Sequence, residues 1–430
     1  MNLAVLIVTF MVIFFLSGTP IFFALGLTVV FSVMAWGQVP AQIVFQQTFQ
    51  GIDSFGMLAI PLFMLMGEIM TRTKVVDDLL FLCNILLGRI RGALAHVNIV
   101  VSVLFAGVSG SAVADTATVG GILIPAMKKN GYDAEFSVAV TAASSVISPI
   151  IPPSICMVMY GALIPGVSIA ALFAGGIIPG LLLAAAMMLV TAILASRRNY
   201  PKSTITYTPR QIVHALFRAI PALMLPFIIR FGVVNGIFTP TECAAVAVLY
   251  AMALGFFYYR NFTFRDLFLC MKRSMLTSGA VLVIIAMVQP FGWLVALGQI
   301  PVTLSSLILS ISENPAVILA AMTVLLLILG AIMDANIIVL IFAPILAPIA
   351  MQLGIHPVHF GVFYCLASIV GLCTPPYGMC IFIAAAIGKI PVGAAMKAIV
   401  PFIISVFIVV FMVAFIPDLT LWMPRSSGLL

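Results

Sequence analysis

The chain has 430 residues, of which 64% are hydrophobic and only 7% charged, with a formal net charge of +7. A soluble domain carries about 25% charged residues, so this composition excludes a soluble enzyme, a disordered protein and a nucleic-acid binder. The excess of basic residues forms no binding face, and the solvent for most of the surface is lipid.

Charge is missing over long stretches. No Asp, Glu, Lys or Arg occurs from Met1 to Ile52, from Phe136 to Ser196 or from Ala335 to Gly388. A helix needs roughly 20 apolar residues to cross a bilayer, so these stretches hold several spans. The runs are continuously apolar and do not alternate, which excludes a β-barrel. The N-terminus has no basic region ahead of its first apolar run, so no cleavable signal is expected. Seven cysteines are scattered through apolar segments without a CxxC pair, and read as small hydrophobic fillers.

In chain order, the first apolar segments are 2–17, 20–36 and 55–71. Segments 93–106 and 116–127 follow, each too short to cross alone. Next come 134–148 and 154–164, interrupted by Ser148-Pro149-Ile150-Ile151-Pro152-Pro153-Ser154, and then 168–196. Residues 201–218 form a polar joint. Beyond it lie 219–231, 240–258, 275–298, 315–329, 335–350, 359–371, 377–388 and 396–416, with Gly371-Leu372-Cys373-Thr374-Pro375-Pro376 interrupting the late pair. Basic stretches at Lys74–Arg91 and Arg260–Arg273 read as arms lying in the cytoplasmic interface. Thr239-Pro240-Thr241-Glu242 has the spacing of a capped helix start.

The landmarks recur. Thr19-Pro20 pairs with Thr239-Pro240, Asp115 with Asp334, Pro125 with Pro344, Pro152-Pro153 with Pro375-Pro376 and Pro179 with Pro401, at offsets of 219 to 223. The chain therefore divides into a first repeat (1–200), the joint, and a second repeat (219–418). Each repeat is expected to hold a re-entrant hairpin, about 93–128 and about 315–350, and a broken helix, about 134–164 and about 359–388. The remaining spans, about 2–71 and 219–298, would form a scaffold. Arg89, Arg91, Lys128 and Lys129 flank the first hairpin and place its ends in the cytoplasm. The second hairpin is flanked by Glu313, His356 and His359 without Lys or Arg, so it opens outward and the repeats are inverted. Arg72, Lys74, Arg197, Arg198, Lys202, Arg260, Lys272, Arg273 and Lys389 fall inside on this trace, and of 19 basic residues only Arg230 and Arg425 fall outside. Both termini are expected on the periplasmic side of a multi-pass chain. Inverted repeats with discontinuous helices are the architecture of secondary transporters, with sites at the repeat interface.

The first tip reads Gly107-Val108-Ser109-Gly110-Ser111-Ala112-Val113-Ala114-Asp115. Its hydroxyls and carbonyls suit a hard cation, although small residues also serve tight helix packing. Ser109, Gly110 and Ser111 with Ser148 and Pro149 would form one sodium site. The carbonyls of Gly330, Ala331 and Met333 with Gly371 and Thr374 would form a second. Asp115 and Asp334 are the acids at membrane depth; each either serves the ion or caps the second helix of its hairpin. Thr141, Ser144, Ser145 and Asn336 are the polar candidates for the substrate between the tips. With no Lys or Arg there, an anion would be held by helix N-termini and amides. No nucleotide-binding loop occurs, so uphill transport must draw on an ion gradient.

Taken together, Leu58-Ala59-Ile60-Pro61-Leu62-Phe63, Ser109 through Asp115, Ile151-Pro152-Pro153-Ser154, Thr239-Pro240-Thr241-Glu242 and Thr374-Pro375-Pro376 resemble the large membrane subunit of the TRAP (tripartite ATP-independent periplasmic) transporters. Cys243 departs from the family pattern, which usually has alanine there. The resemblance implies an all-α, elevator-type fold similar to the divalent-anion sodium symporters, in the bacterial inner membrane. It implies Na+ as the coupling ion and no other cofactor. It also implies a small four-helix membrane subunit, a periplasmic substrate-binding protein, and organic acids such as C4-dicarboxylates or sialic acids as substrates. A stand-alone sodium/anion symporter is the alternative. An intramembrane protease finds weak support: Gly107-Val108-Ser109-Gly110 has no histidine partner, and Asp334 lacks a GxGD context.

Overall fold

The computed structural model describes residues 3–201, 208–311, 314–376 and 378–430. Lys202 and Glu313, two of the orienting charges named above, lie outside the described residues, as does the 202–207 part of the 201–218 joint. The described residues are helical, with no strand among them.

Helices α1 (Leu3–Leu16), α2 (Ile21–Trp36), α3 (Ala41–Ile52), α4 (Ala59–Arg72) and α5 (Val75–Leu87) form the first group. The helices α6 (Ala93–Ser109) and α7 (Ala112–Lys129) make a hairpin. The chain continues through α8 (Ala134–Ser144), α9 (Ile155–Leu163) and the long α10 (Ile169–Arg197). After the joint come α11 (Pro209–Val234), α12 (Pro240–Ala253), α13 (Phe264–Leu297) and α14 (Ile300–Ile311). A second hairpin, α15 (Pro315–Ile332) and α16 (Ala335–Gln352), leads to α17 (Pro357–Val370), α18 (Met379–Gly388), α19 (Val392–Phe415) and α20 (Asp418–Ser426). Eight helices among the described residues are long and apolar enough to cross a membrane.

The two halves thus share one element order: hairpin, broken helix, long helix. Helices α11, α12 and α13 pack on α2–α5, while α18 packs on α7 and α8, and α9 on α16 and α17. The broken elements of one half therefore lie against those of the other. Tyr364 donates to the Ile338 carbonyl at 2.7 Å and lies 5.8 Å, ring to ring, from Tyr160. Gly361 permits this approach, since a Cβ there would stand 2.5 Å from the Tyr160 ring.

Three expectations change in detail. The first hairpin turns over Gly110 and Ser111 alone, because α6 continues through Gly107, whose missing side chain leaves room for Pro226 of α11. The stretch Arg260–Arg273 is no separate arm, because α13 starts at Phe264 and runs unbroken for 34 residues. In the second hairpin α16 runs 18 residues despite Pro344 and Pro348; neighbouring elements tolerate proline in membrane helices by re-satisfying the freed carbonyls. The capped start at Thr239 is present: Thr239 N–H and hydroxyl both donate to Glu242 at 2.9 Å.

Between α7 and α8, Asp133 accepts from the Tyr200 hydroxyl and the Arg198 guanidinium, both at 2.6 Å, tying the hairpin base to the end of α10. The Tyr200 hydrogen bond, and after it Arg198, hold the Asp133 carboxyl below its usual range. A carboxylate so shifted stabilises the fold above its unfolded-state pKa, and that contribution is lost as pH falls through the lower folded value. The pair is about half exposed, 43% and 50%, so screening keeps it small. Asp133→Asn is expected to cost at most about 1 kcal/mol, with no change in stability between neutral and mildly acidic pH. Thermal unfolding of the two proteins at pH 5 and 7.5 checks both points.

Candidate functional site

Each broken helix stops where its sequence forbids hydrogen bonding. In the first, α8 ends in a single 3₁₀ turn at Ser145–Ile147, and α9 restarts only after the cis Pro152-Pro153 bond, with Ser154 capping Met157 N–H at 3.3 Å. In the second, the turn Gly371–Cys373 and the cis Pro375-Pro376 bond separate α17 from α18. Prolines supply no N–H, so carbonyls ahead of them are released from the ladder.

Each hairpin tip seats on one of these breaks. Gly110 adopts φ +58°, and a Cβ there would stand 2.6 Å from the Pro153 carbonyl oxygen. Beside it the Ser109 and Ser148 hydroxyls lie 3.1 Å apart. Ser109 Oγ is also 3.4 Å from the Ser111 amide and carbonyl, and Ser111 caps α7 by accepting from Ala114 N–H. Ser109 and Ser148 are buried. The Pro149 carbonyl accepts the Ser154 hydroxyl and keeps one lone pair. The structure thus brings Ser109, Gly110, Ser111, Ser148 and Pro149 together.

The second tip is closer still. The Gly330 and Gly371 backbones touch, with no room for a Cβ on Gly371, and a Cβ on Gly330 would meet Gly371 Cα and the Ser368 carbonyl at 3.0 Å. Met333 ends α15, its N–H donating to the Leu329 carbonyl at 2.8 Å, and Ala331 is buried two residues before it. Thr374 donates its hydroxyl to the Val370 carbonyl at 3.0 Å and its N–H to the Gly371 carbonyl at 2.9 Å. Gly371 and Val370 lie at the break between α17 and α18, so the tip of the second hairpin rests on the break itself.

The two acids are not equivalent. Asp334 is the N-cap of α16 and accepts from Asn336 N–H at 2.9 Å. The position matching it in the first hairpin is Ser111. Asp115 stands in the first turn of α7, fully buried, with neither carboxylate oxygen hydrogen-bonded. The capping role therefore holds for Asp334 and fails for Asp115.

The four substrate candidates separate as well. Thr141, Ser144 and Ser145 are sealed between α6 and α8. Thr141 accepts from the Asn98 amide at 2.6 Å, Ser144 lies 3.1 Å from Asn98 Oδ1 and accepts from Ser102 at 3.3 Å, and Ser145 donates to the Thr141 carbonyl at 2.8 Å. Ser102 and Ser145 are the hydroxyls that approach Asp115, yet both are committed to these other bonds. Asn336 stands apart from this cluster, half-buried, its Oδ1 accepting from the Cys156 thiol at 3.2 Å across the interface of the two halves.

Asn98 and Ser102 are site residues that the sequence reading passed over. Their signal was present: Asn98, Ser102 and Ser109 repeat at helical spacing on α6, opposite Ser137, Thr141, Ser144 and Ser148. Among the described residues no group of His, Cys, Asp and Glu is arranged to hold a metal. The arrangement suits a weakly bound hard cation held by hydroxyls and carbonyls.

The comparisons with known proteins agree with this architecture. Residues 7–419 match the DctM component of the tripartite ATP-independent periplasmic transporters. The sialic acid TRAP transporter large permease protein of Vibrio cholerae is 37% identical over 95% of this chain and 95% of its own length. The 2,3-diketo-L-gulonate TRAP transporter large permease protein of Escherichia coli is 35% identical, covering 94% of each. The crystal structure of the Alcanivorax borkumensis YdaH transporter superposes with a TM-score of 0.63 at 15% identity, over 90% of this chain and 89% of that one, and shows the fold alone. The chain belongs to the DctM family of tripartite ATP-independent periplasmic transporters.

Proposed function

We propose that this large permease subunit imports an organic acid across the bacterial inner membrane, driven by sodium and by an elevator movement. The observation that carries the reading is the seating of both hairpin tips on the breaks of discontinuous helices. One contact is the pair of Ser109 and Ser148 hydroxyls, 3.1 Å apart, and the other is the Gly330–Gly371 backbone contact. Sodium bound by Ser109, Gly110, Ser111, Ser148 and Pro149, and by Gly330, Ala331, Met333, Gly371 and Thr374, would fasten each tip to its break. Asp115, one turn inside α7, supplies negative charge behind the first site.

The substrate then sits between the tips, near Asn336 and Cys156, facing the N-termini of α7, α9 and α16. Such termini favour carboxylate groups. The relatives carry sialic acid and 2,3-diketo-L-gulonate in their names; both are organic acids, and C4-dicarboxylates belong to the same chemical class. With sodium and acid in place, the hairpins and broken helices move as a unit along a scaffold of α1–α4 and α11–α13. On this reading the base of the first hairpin, flanked by basic residues, is cytoplasmic and both termini are periplasmic. A small membrane subunit and a periplasmic binding protein complete the system, as the family's tripartite description implies.

The test is uptake of labelled sialic acid, 2,3-diketo-L-gulonate and succinate into proteoliposomes holding this chain and its small subunit. Accumulation that needs an inward sodium gradient and added binding protein is the expected result. Accumulation with sodium but without binding protein would replace the tripartite reading with a stand-alone symporter. No accumulation of any of the acids would overturn the reading.

A further inference from the structure

Between the first tip and the scaffold lies a polar crevice of about 290 Å³. One wall is the tip, with Ser109 and Ser111; the other is α4 and α13, with Glu68, Thr71, Arg273 and Thr277. Arg273 stands nine residues into α13, about 14 Å along its axis, exposed beside Lys272 at the point where the basic stretch of the helix gives way to its apolar run. Glu68 interrupts the apolar run of α4. Neither makes an ion pair among the described residues, although both line the same cavity. Their neighbours behave differently: Arg72 pairs with Asp266 at 3.2 Å. A guanidinium and a carboxylate that face one polar void without meeting leave both charges free to take ions of opposite sign.

We infer that this crevice is the station on the cytoplasmic side of the tip where the transported ions part: Arg273 receives the carboxylate of the organic acid, and Glu68 receives the sodium released from Ser109. The inference rests on the proposed function and extends it to release. It also changes the expected electrostatics. No Lys or Arg stands among the described residues proposed to hold the substrate between the tips, so the arginine offered to an outgoing anion is carried by the scaffold. Ser109 belongs to both places, as a ligand in the first sodium site and as a wall of the crevice, so the ion need not cross apolar surface. Arg273 offers up to five N–H donors in a planar fork that matches a carboxylate.

The test uses proteoliposomes with the small subunit and with binding protein outside only, so that transporters of one orientation are read. Vesicles are preloaded with unlabelled sialic acid or succinate, and the internal concentration that halves uptake of the labelled acid is measured. Arg273→Gln is expected to raise that concentration roughly tenfold or more, the worth of a charge-assisted hydrogen bond. Arg273→Lys should recover part of it, and the external half-saturation should be unchanged in both. Glu68→Gln should raise the internal sodium concentration that halves uptake and leave the internal acid dependence alone. An Arg273→Gln protein with unaltered internal dependence, or with internal and external dependences shifted equally, would overturn the inference while leaving the proposed function standing. Failure of the unaltered protein to take up either acid would remove both.

Discussion

Replacing Gly371 with alanine is expected to reduce sodium-driven uptake at least about tenfold and to lower the stability of the fold by about 1–3 kcal/mol, the range for overpacking a filled site. The new methyl group would overlap the Cα, carbonyl carbon and carbonyl oxygen of Gly330. All three are backbone atoms of the second tip, so no flexible side chain can yield. Either the tip lifts from its break or the turn Gly371–Cys373 deforms. In both cases the carbonyls proposed to hold the second sodium lose their mutual spacing, and the apparent sodium affinity should fall along with the rate. Gly330→Ala is the milder companion, since its Cβ would sit 3.0 Å from Gly371 Cα and from the Ser368 carbonyl. Gly121→Ala and Gly393→Ala serve as controls. Neither would meet an atom within 4 Å, and both lie in helices where alanine is the better residue. Uptake assays across a sodium titration, paired with thermal unfolding, read both effects. A Gly371→Ala protein with wild-type sodium dependence would show that the close contact plays no part in ion binding.

Much of this architecture was written in the sequence because lipid removes alternatives. A spanning helix must satisfy its own backbone, so interruptions such as Ser148–Ser154 and Gly371–Pro376 stand out against runs that otherwise never break. The repeated prolines then align the halves. What the sequence could not supply was register at single-residue resolution. Asp115 and Asp334 look equivalent at an offset of 219, but α7 starts three residues before Asp115 while Asp334 lies just ahead of α16. The difference arises in the turns, where Gly110 takes a left-handed conformation and the second hairpin turns through Met333 with extended backbone. Thr141, Ser144 and Ser145 were recognised as polar residues at depth. Their partners Asn98 and Ser102 belong to a helix 39 or more residues earlier, and no local pattern says which helix faces which. The crevice at Arg273 was missed for a similar reason: it exists only where α4, the first tip and α13 meet, and Arg273 follows Ser109 by about 160 residues.

Asp115 gives the sharpest test of the first ion site, because stability and transport should move in opposite directions. Its two oxygens are buried without a donor, and an unsatisfied buried polar group costs about 1–3 kcal/mol. Its position in the first turn of α7 recovers part of that through the helix dipole, typically under about 1 kcal/mol. Asp115→Leu removes the unsatisfied group and keeps the branched shape of the side chain, with methyl groups in place of the oxygens. The sodium-free protein is therefore expected to be as stable as the parent or more so, by up to about 2 kcal/mol, the difference of those two effects. Bound sodium should reverse the order. A ligand at 100 times its Kd stabilises a folded protein by about 2.7 kcal/mol, and the leucine variant should lose most of that together with sodium-driven uptake. Asp115→Asn keeps a polar group beside Ser102 and Ser145 and should fall between the two. Thermal midpoints with and without sodium, potassium replacing it at equal ionic strength, distinguish binding from general salt effects. A leucine variant that keeps the full sodium-dependent shift would remove Asp115 from the ion site and leave its buried charge without a role in coupling. A leucine variant less stable than the parent even without sodium would mean that Asp115 holds α6, α7 and α8 together, and that the polar cluster around it is structural.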